Sequence, residues 1–261
     1  MKLVLTQPEL SFDPGSDNAA TARELLLPLV ATLEADDVVL LPEHFDLGES
    51  RETYEAGISE LARVLGCHVV GGSHHEARGA GKVNTGVVAN DRGEIIAAYE
   101  KLRPYAEERG RVDPGGSFGE VTVGGKRLLI LICADFWFSD VFYRASALPD
   151  LVLVPAFSVS RKPTPEYSRA LWQHLAVARA YEFGAYVGVS DWPHHATGGA
   201  YSPSGVAGFA DPTAVAPLDL FRGIDGAVRV VPLDFDALDA FRADRTRRGF
   251  FWKAKTTTRE P

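Results

Sequence analysis

A carboxylate, an amine and a thiol each follow an apolar run in this chain. Residues 38–41 pass through Pro42 into Glu43, residues 95–100 into Lys101, and residues 128–132 into Cys133. Rigid strand ends that open into loops are where reactive side chains tend to stand. A thiolate is the nucleophilic form of cysteine, and an adjacent base and a positive charge both favour it. Glu43 is suited to take the thiol proton. Lys101 is suited to lower the thiol pKa and to hold the oxyanion that follows attack on a carbonyl or related carbon. Taken one at a time, each residue has a plainer reading. Cys133 follows Leu129-Ile130-Leu131-Ile132, where a free cysteine is ordinarily inert packing, and an isolated lysine or glutamate is ordinarily solvated.

The elements that would position these groups alternate along the chain. Strands are expected over 2–6, 38–41, 68–72, 83–90, 95–101, 120–123, 127–132, 151–155, 186–190, 205–210 and 228–234. Helices are expected over 19–35, 54–65, 141–148, 168–183 and from 235 to 242, where apolar residues recur at helical spacing. Asp91-Arg92-Gly93 and Gly124-Gly125 turn two hairpins, and Gly66 closes the helix before it. Interleaved helices and strands with no linker, repeat or low-complexity stretch predict one α/β domain over residues 1–261. Hairpins within the alternation predict a mixed sheet, or two sheets.

The remaining features narrow the class. The 261 residues are 46% hydrophobic and 24% charged, as in an ordinary globular protein. A net charge of −8 with scattered Lys and Arg argues against a nucleic-acid partner, and Arg245-Thr246-Arg247-Arg248 reads as a solvated face. No apolar stretch approaches a membrane span and no secretory leader is visible, so a cytoplasmic location is expected. Cys67 and Cys133 are then thiols rather than a disulfide, and Cys67, which has no partner motif, reads as packing. His74-His75-Glu76 and His194-His195 lack a metal-ligand spacing and read as loop histidines. Trp172 and Trp192 read as aromatic packing or pocket walls, and Gly71-Gly72 and Gly198-Gly199 as turns.

Several blocks together are similar to one family. They are Met1-Lys2-Leu3-Val4-Leu5-Thr6-Gln7-Pro8, then Leu40-Leu41-Pro42-Glu43-His44-Phe45, then Asn84 to Ile95 followed by Tyr99-Glu100-Lys101-Leu102-Arg103-Pro104-Tyr105. Leu131-Ile132-Cys133-Ala134-Asp135-Phe136, Trp172 and Ala178 to Val187 complete the set. In this order, spanning essentially the whole chain, they resemble the nitrilase superfamily of carbon–nitrogen hydrolases. The resemblance implies a four-layer αββα sandwich, with Glu43 as general base, Lys101 as catalytic lysine and Cys133 as nucleophile. It implies a thioester acyl-enzyme whose oxyanion rests on Lys101 and the Ala134 backbone N–H, no metal or organic cofactor, and a homodimer or higher homo-oligomer paired through helices. Relatives carry a second glutamate after an aromatic and a glycine. Tyr105-Ala106-Glu107-Glu108 then favours Glu107, with Glu108 as the alternative and Ala106 in place of the glycine. Nitrilases follow the cysteine with Trp-Glu. Ala134-Asp135 here points instead to an amide, or an N-carbamoyl compound, as the small-molecule substrate. Phe136, Trp137 and Trp172 are the expected pocket residues. Two rivals remain: an inactive relative that binds a ligand or a partner protein, and an acyltransferase.

Overall fold

Strands that are apolar on both faces need cover on both sides, and four layers supply it. The computed structural model describes residues 1–13, 16–48, 50–194 and 202–250. One sheet holds β1 (Lys2–Thr6), β2 (Val38–Leu40), β3 (His68–Val70), β4 (His74–Arg78), β5 (Gly81–Ala89) and β6 (Ile95–Glu100). A late strand, β13 (Val228–Pro232), lies antiparallel on the outer side of β1, while β1, β2 and β3 run parallel. β5 pairs antiparallel with β3, β4 and β6. The second sheet has the order β12 (Phe221–Gly223), β11 (Gly208–Ala210), β10 (Tyr186–Ser190), β9 (Leu151–Pro155), β8 (Lys126–Ile130) and β7 (Gly119–Val123), with β8, β9 and β10 parallel.

The two-residue period of a strand sorts its side chains between layers. Leu3, Leu5, Val38 and Leu40 join Ile130 and Leu153 of the second sheet in one core. Val4, Val39 and Leu41 turn the other way, onto Leu26 of α1 (Asn18–Leu26) and Tyr54, Ile58 and Leu61 of α2 (Arg51–Leu65). The outer face of the second sheet is covered by α4 (Glu166–Phe183), which buries Trp172, Ala176, Ala180 and Phe183. A short α3 (Asp140–Arg144) and the late α5 (Phe235–Arg247) complete the helices among the described residues. The sheets meet closely at Gly188, where a Cβ would sit 2.6 Å from Leu3 Cδ2. Beside it, Ser190 Oγ accepts from Thr6 N–H at 2.9 Å and donates to the Leu40 carbonyl at 2.8 Å, pinning the two sheets together at one edge.

Several expectations are corrected. The helix over 19–35 stops at Leu26 and continues as a 3₁₀ turn, Leu27–Thr32. Pro28 has no N–H and its ring crowds the preceding turn, so the α ladder cannot pass it. His74, His75 and Glu76 lie in β4 rather than a loop, folded back on β5 through Gly79. The helix over 141–148 ends at Arg144, and β12 was unforeseen. His195, Gly198 and Gly199 lie outside the described residues. Among the described residues no helix is long and apolar enough to cross a membrane.

Candidate active site

β2, β6, β8 and β9 end at the edge of the sandwich that Ser190 pins, and the loops they release carry the chemistry. Glu43 leaves β2 beyond Pro42. Its backbone N–H donates to the Ala156 carbonyl at 3.3 Å and its carbonyl accepts from Trp192 Nε1 at 2.7 Å, so its main chain is held by the second sheet. Gly72, at φ 69°, leaves room for the Pro42 carbonyl, which would lie 2.0 Å from a Cβ there. That close approach lets the Glu43 loop pack against the β3–β4 turn.

Lys101 follows β6 and is 3% exposed, yet its Nζ donates to two carboxylates, to Glu43 Oε1 at 2.7 Å and to Glu108 Oε2. Burial alone would lower its pKa. The two adjacent carboxylates more than offset that and hold the pKa above the ordinary lysine value, so it is an ammonium. Glu108 accepts at four donors: Lys101 Nζ, Asn84 Nδ2 at 2.7 Å, Tyr105 N–H at 3.0 Å and His75 Nε2 at 3.1 Å. Burial pushes its pKa up, but His75 and Lys101 outweigh it, leaving the carboxylate well below its usual range. Asn84 Nδ2 also reaches Glu43 Oε1 at 2.9 Å, so one amide spans both carboxylates.

Cys133 opens the 3₁₀ turn Cys133–Trp137 with φ at 43°, a region an L-residue enters only at a cost of about 1–3 kcal/mol. Phe157, just beyond β9, links Cys133 to Glu43: the Phe157 N–H donates to Glu43 Oε2 at 3.0 Å, and its carbonyl accepts from Cys133 Sγ at 3.7 Å. Burial, then the negative Glu43, raise the thiol pKa well above its ordinary value, and Lys101 only partly opposes them. Lys101 thus acts in the expected, lowering direction, and burial and Glu43 outweigh it. Asp135, two residues on and fully buried, accepts from the Leu102 N–H at 2.9 Å and so ties the Cys133 turn to the strand end that carries Lys101. Burial raises its pKa to about 6.

The expected residues Glu43, Lys101 and Cys133 converge. Glu107 does not: it points to solvent, and Glu108 holds the lysine. Ala106 takes φ 50°, the left-handed region that favours glycine, and the 3₁₀ turn Ala106–Glu108 then folds Glu108 back onto the Tyr105 N–H while Glu107 faces out. A cavity of 410 Å³ opens over Cys133, lined by Ala134, Trp137, Phe157, Trp172 and others. Phe136, an expected wall, is instead fully buried in the core, stacked with Trp172 at 6.1 Å. A 3₁₀ turn sends consecutive side chains in different directions, so Trp137 faces the cavity and Phe136 does not.

Asn84, His75 and Phe157 were missed as members of the site. Phe157 enters through its backbone N–H and carbonyl, so no reactive side chain marks it in the sequence. Trp192 is wholly buried and stacked on Phe12 at 4.3 Å, and Cys67 is buried packing with its pKa pushed up to about 12 by burial. His44, His75 and Glu108 bring potential metal-donor atoms within 4.8 Å of one another. Glu108 there is already committed to four hydrogen-bond donors.

Residues 12–209 match the family described as carbon-nitrogen hydrolase. Nitrilase homolog 2 of Dictyostelium discoideum is 26% identical over 174 residues, 58% of this chain and 51% of that protein. The 2-oxoglutaramate amidase of Bacillus subtilis (strain 168) is 26% identical over 164 residues, 58% of this chain and 61% of that protein. The match thus spans about half to three-fifths of those relatives' own lengths. Among solved structures, a glutamate-to-glutamine mutant of the amidase from Nesterenkonia sp. AN1 shows the result of Michael addition of acrylamide at its active-site cysteine. It superposes with a TM-score of 0.73 at 22% identity, over 95% of this chain and 99% of that one. A cysteine-to-alanine mutant of the same amidase, in complex with butyramide, gives 0.71 at 22% identity over 95% and 96%. These likenesses show the shared fold.

Proposed function

The chain belongs to the carbon–nitrogen hydrolase family, and from that membership we propose that it hydrolyses a non-peptide amide through a thioester on Cys133. The observation that carries the reading is the buried contact of Lys101 with Glu43 at 2.7 Å, joined through Phe157 to a cysteine at a strained turn on a cavity floor. Glu43 takes the thiol proton as sulfur attacks the amide carbon, so no free thiolate is needed at rest. This agrees with a thiol pKa above its ordinary value. The C–S bond forms as the carbonyl π pair moves to oxygen, and the oxyanion rests on Lys101 Nζ and the Ala134 N–H. Collapse breaks the C–N bond, and the amine leaves with the proton returned from Glu43. Water, deprotonated by Glu43, then attacks the thioester. The C–S bond breaks, the acid departs and the thiol is reprotonated. Glu108 and Asn84 position Lys101 and Glu43. The acrylamide adduct on the cysteine of the Nesterenkonia amidase, and its butyramide complex, support an amide as substrate and the cysteine as the bonding atom.

The test is intact-mass measurement during turnover of an amide panel. A transient acyl adduct on the wild type, absent along with ammonia release in Cys133→Ala, is the expected result. Ammonia release that survives Cys133→Ala would sink the mechanism. Ligand binding with neither adduct nor ammonia would favour a binding role, and transfer of the acyl group to an added amine in preference to water would favour an acyltransferase.

A further inference from the structure

The cavity above Cys133 is unlike a site for a short aliphatic amide. Its 410 Å³ falls in the range of roughly 300–1,000 Å³ typical of small-molecule sites. Trp137 and Trp172 form its inner wall, ring centroids 5.5 Å apart and at 84° to each other. At the rim, Tyr105, Phe138 and Tyr167 are 47%, 49% and 53% exposed, and all three line this one cavity. Large apolar side chains left wet on a single concavity mark a surface that a ligand covers. A one- to three-carbon acyl chain on Cys133 would leave those rims in water, whereas an aromatic acyl group would meet ring faces and edges along the wall.

The charge of the lining is the second observation. The chain carries −8 overall, yet no aspartate or glutamate lines this cavity, and Arg161 and Lys162 do. Arg161 Cζ lies 5.6 Å from the Tyr105 ring centroid and Lys162 Nζ 5.2 Å from that of Tyr167, so both cations are placed on the aromatic rim. Among the described residues neither is paired with a carboxylate. A local inversion of sign at a cavity mouth draws in and orients an anion.

We propose that the substrate is an amide of an aromatic acid bearing a carboxylate at the end remote from the amide. The amide carbon sits over Cys133, the ring lies against Trp137 and Trp172, and the carboxylate meets Arg161 and Lys162. The proposal rests on the hydrolase reading above.

The experiment measures ammonia release with four amides: propionamide, phenylpropionamide, phenylpropionamide with a para carboxylate, and the methyl ester of the last. The wild type is expected to favour phenylpropionamide over propionamide at least about tenfold in kcat/KM. It is expected to favour the carboxylate over its ester at least about fivefold, the scale of an exposed charge contact. In the double variant Arg161→Ala with Lys162→Ala, the acid-to-ester ratio falls to about one. In Trp137→Ala, the aromatic-to-aliphatic ratio falls. Cys133-dependent ammonia release with equal rates on all four amides overturns this inference and leaves the hydrolase reading intact. An acid preference that persists in the double variant overturns the assignment to these two cations. No ammonia from any of the four, in a protein that unfolds cooperatively, overturns the hydrolase reading and this inference with it.

Discussion

Replacing Glu108 with Gln, beside the matched Glu107→Gln control, asks which of two adjacent glutamates governs Lys101. The carboxylate of Glu108 accepts from Lys101, Asn84, Tyr105 and His75. Glutamine keeps one acceptor oxygen, but its NH₂ must face at least one of those four donors, and the negative charge opposite the buried ammonium is lost. Removing one partner of a buried ion pair costs about 3–5 kcal/mol. Glu43 remains 2.7 Å from Lys101, so the lower end, about 3 kcal/mol, is expected. With a urea m-value of about 3 kcal/mol per molar for a chain of this size, the midpoint should fall by about 1 M. Lys101 then leans mainly on Glu43, which under the proposed mechanism draws its charge from the oxyanion and makes Glu43 a poorer base. The loss of one oxyanion donor in other enzymes, about 10²–10³ in kcat, sets the expected scale. Glu107→Gln, exposed and outside the cluster, should shift stability by no more than about 0.5 kcal/mol and leave kcat/KM within about twofold. The assays are equilibrium urea unfolding by fluorescence and ammonia release on the best amide. A costly Glu107→Gln with a silent Glu108→Gln would refute the geometry, and two silent variants would refute the role assigned to the second carboxylate.

Asp135 has its folded pKa raised from 3.8 to about 6 by burial, so its ionised form costs stability. That cost is absent well below pH 4, grows as pH rises to about 6 and is constant above, reaching about 3 kcal/mol at 1.36 kcal/mol per unit. Asp135→Asn keeps an acceptor for the Leu102 N–H and removes the charge. Its unfolding free energy relative to wild type should therefore climb between pH 4 and 6 and level off above, and a difference independent of pH would contradict this. Gly188→Ala would place a Cβ 2.6 Å from Leu3 Cδ2 and 3.0 Å from Leu5 Cδ2 at the meeting of the sheets. A loss of about 1–3 kcal/mol in urea unfolding is expected from such overpacking, and an unchanged midpoint would mean that the sheets are not held that closely.

The three residues at the centre were legible because the signal was local. Glu43, Lys101 and Cys133 each stand just past the end of an apolar run, a signal read within a few residues, whereas their meeting joins β2 and β6 of one sheet to β8 of the other and belongs to the stacking of the two sheets. The alternation of Leu3, Val4 and Leu5 between two layers was legible for the same reason, since strand side chains repeat every two residues. What was not legible depended on one-residue phase or on distant pairing. Glu107 and Glu108 are chemically identical neighbours, and only the left-handed turn at Ala106 decides which of them faces Lys101. Phe136 and Trp137 are separated by the same kind of phase, in a turn whose geometry is set by the strained backbone at Cys133. His75 reaches Glu108 beside Asn84 because β4 folds onto β5 with those two residues in register. That pairing is a property of the sheet, which joins segments by backbone hydrogen bonds that carry no mark in the side-chain pattern. The sequence by itself determined which reactive groups the chain owns and which strands deliver them. The tertiary structure decided which carboxylate steadies the lysine, which rings open onto the cavity and that burial beside Glu43 pushes the thiol pKa up. Each of those turns on the direction of a side chain and on its distance from buried charges.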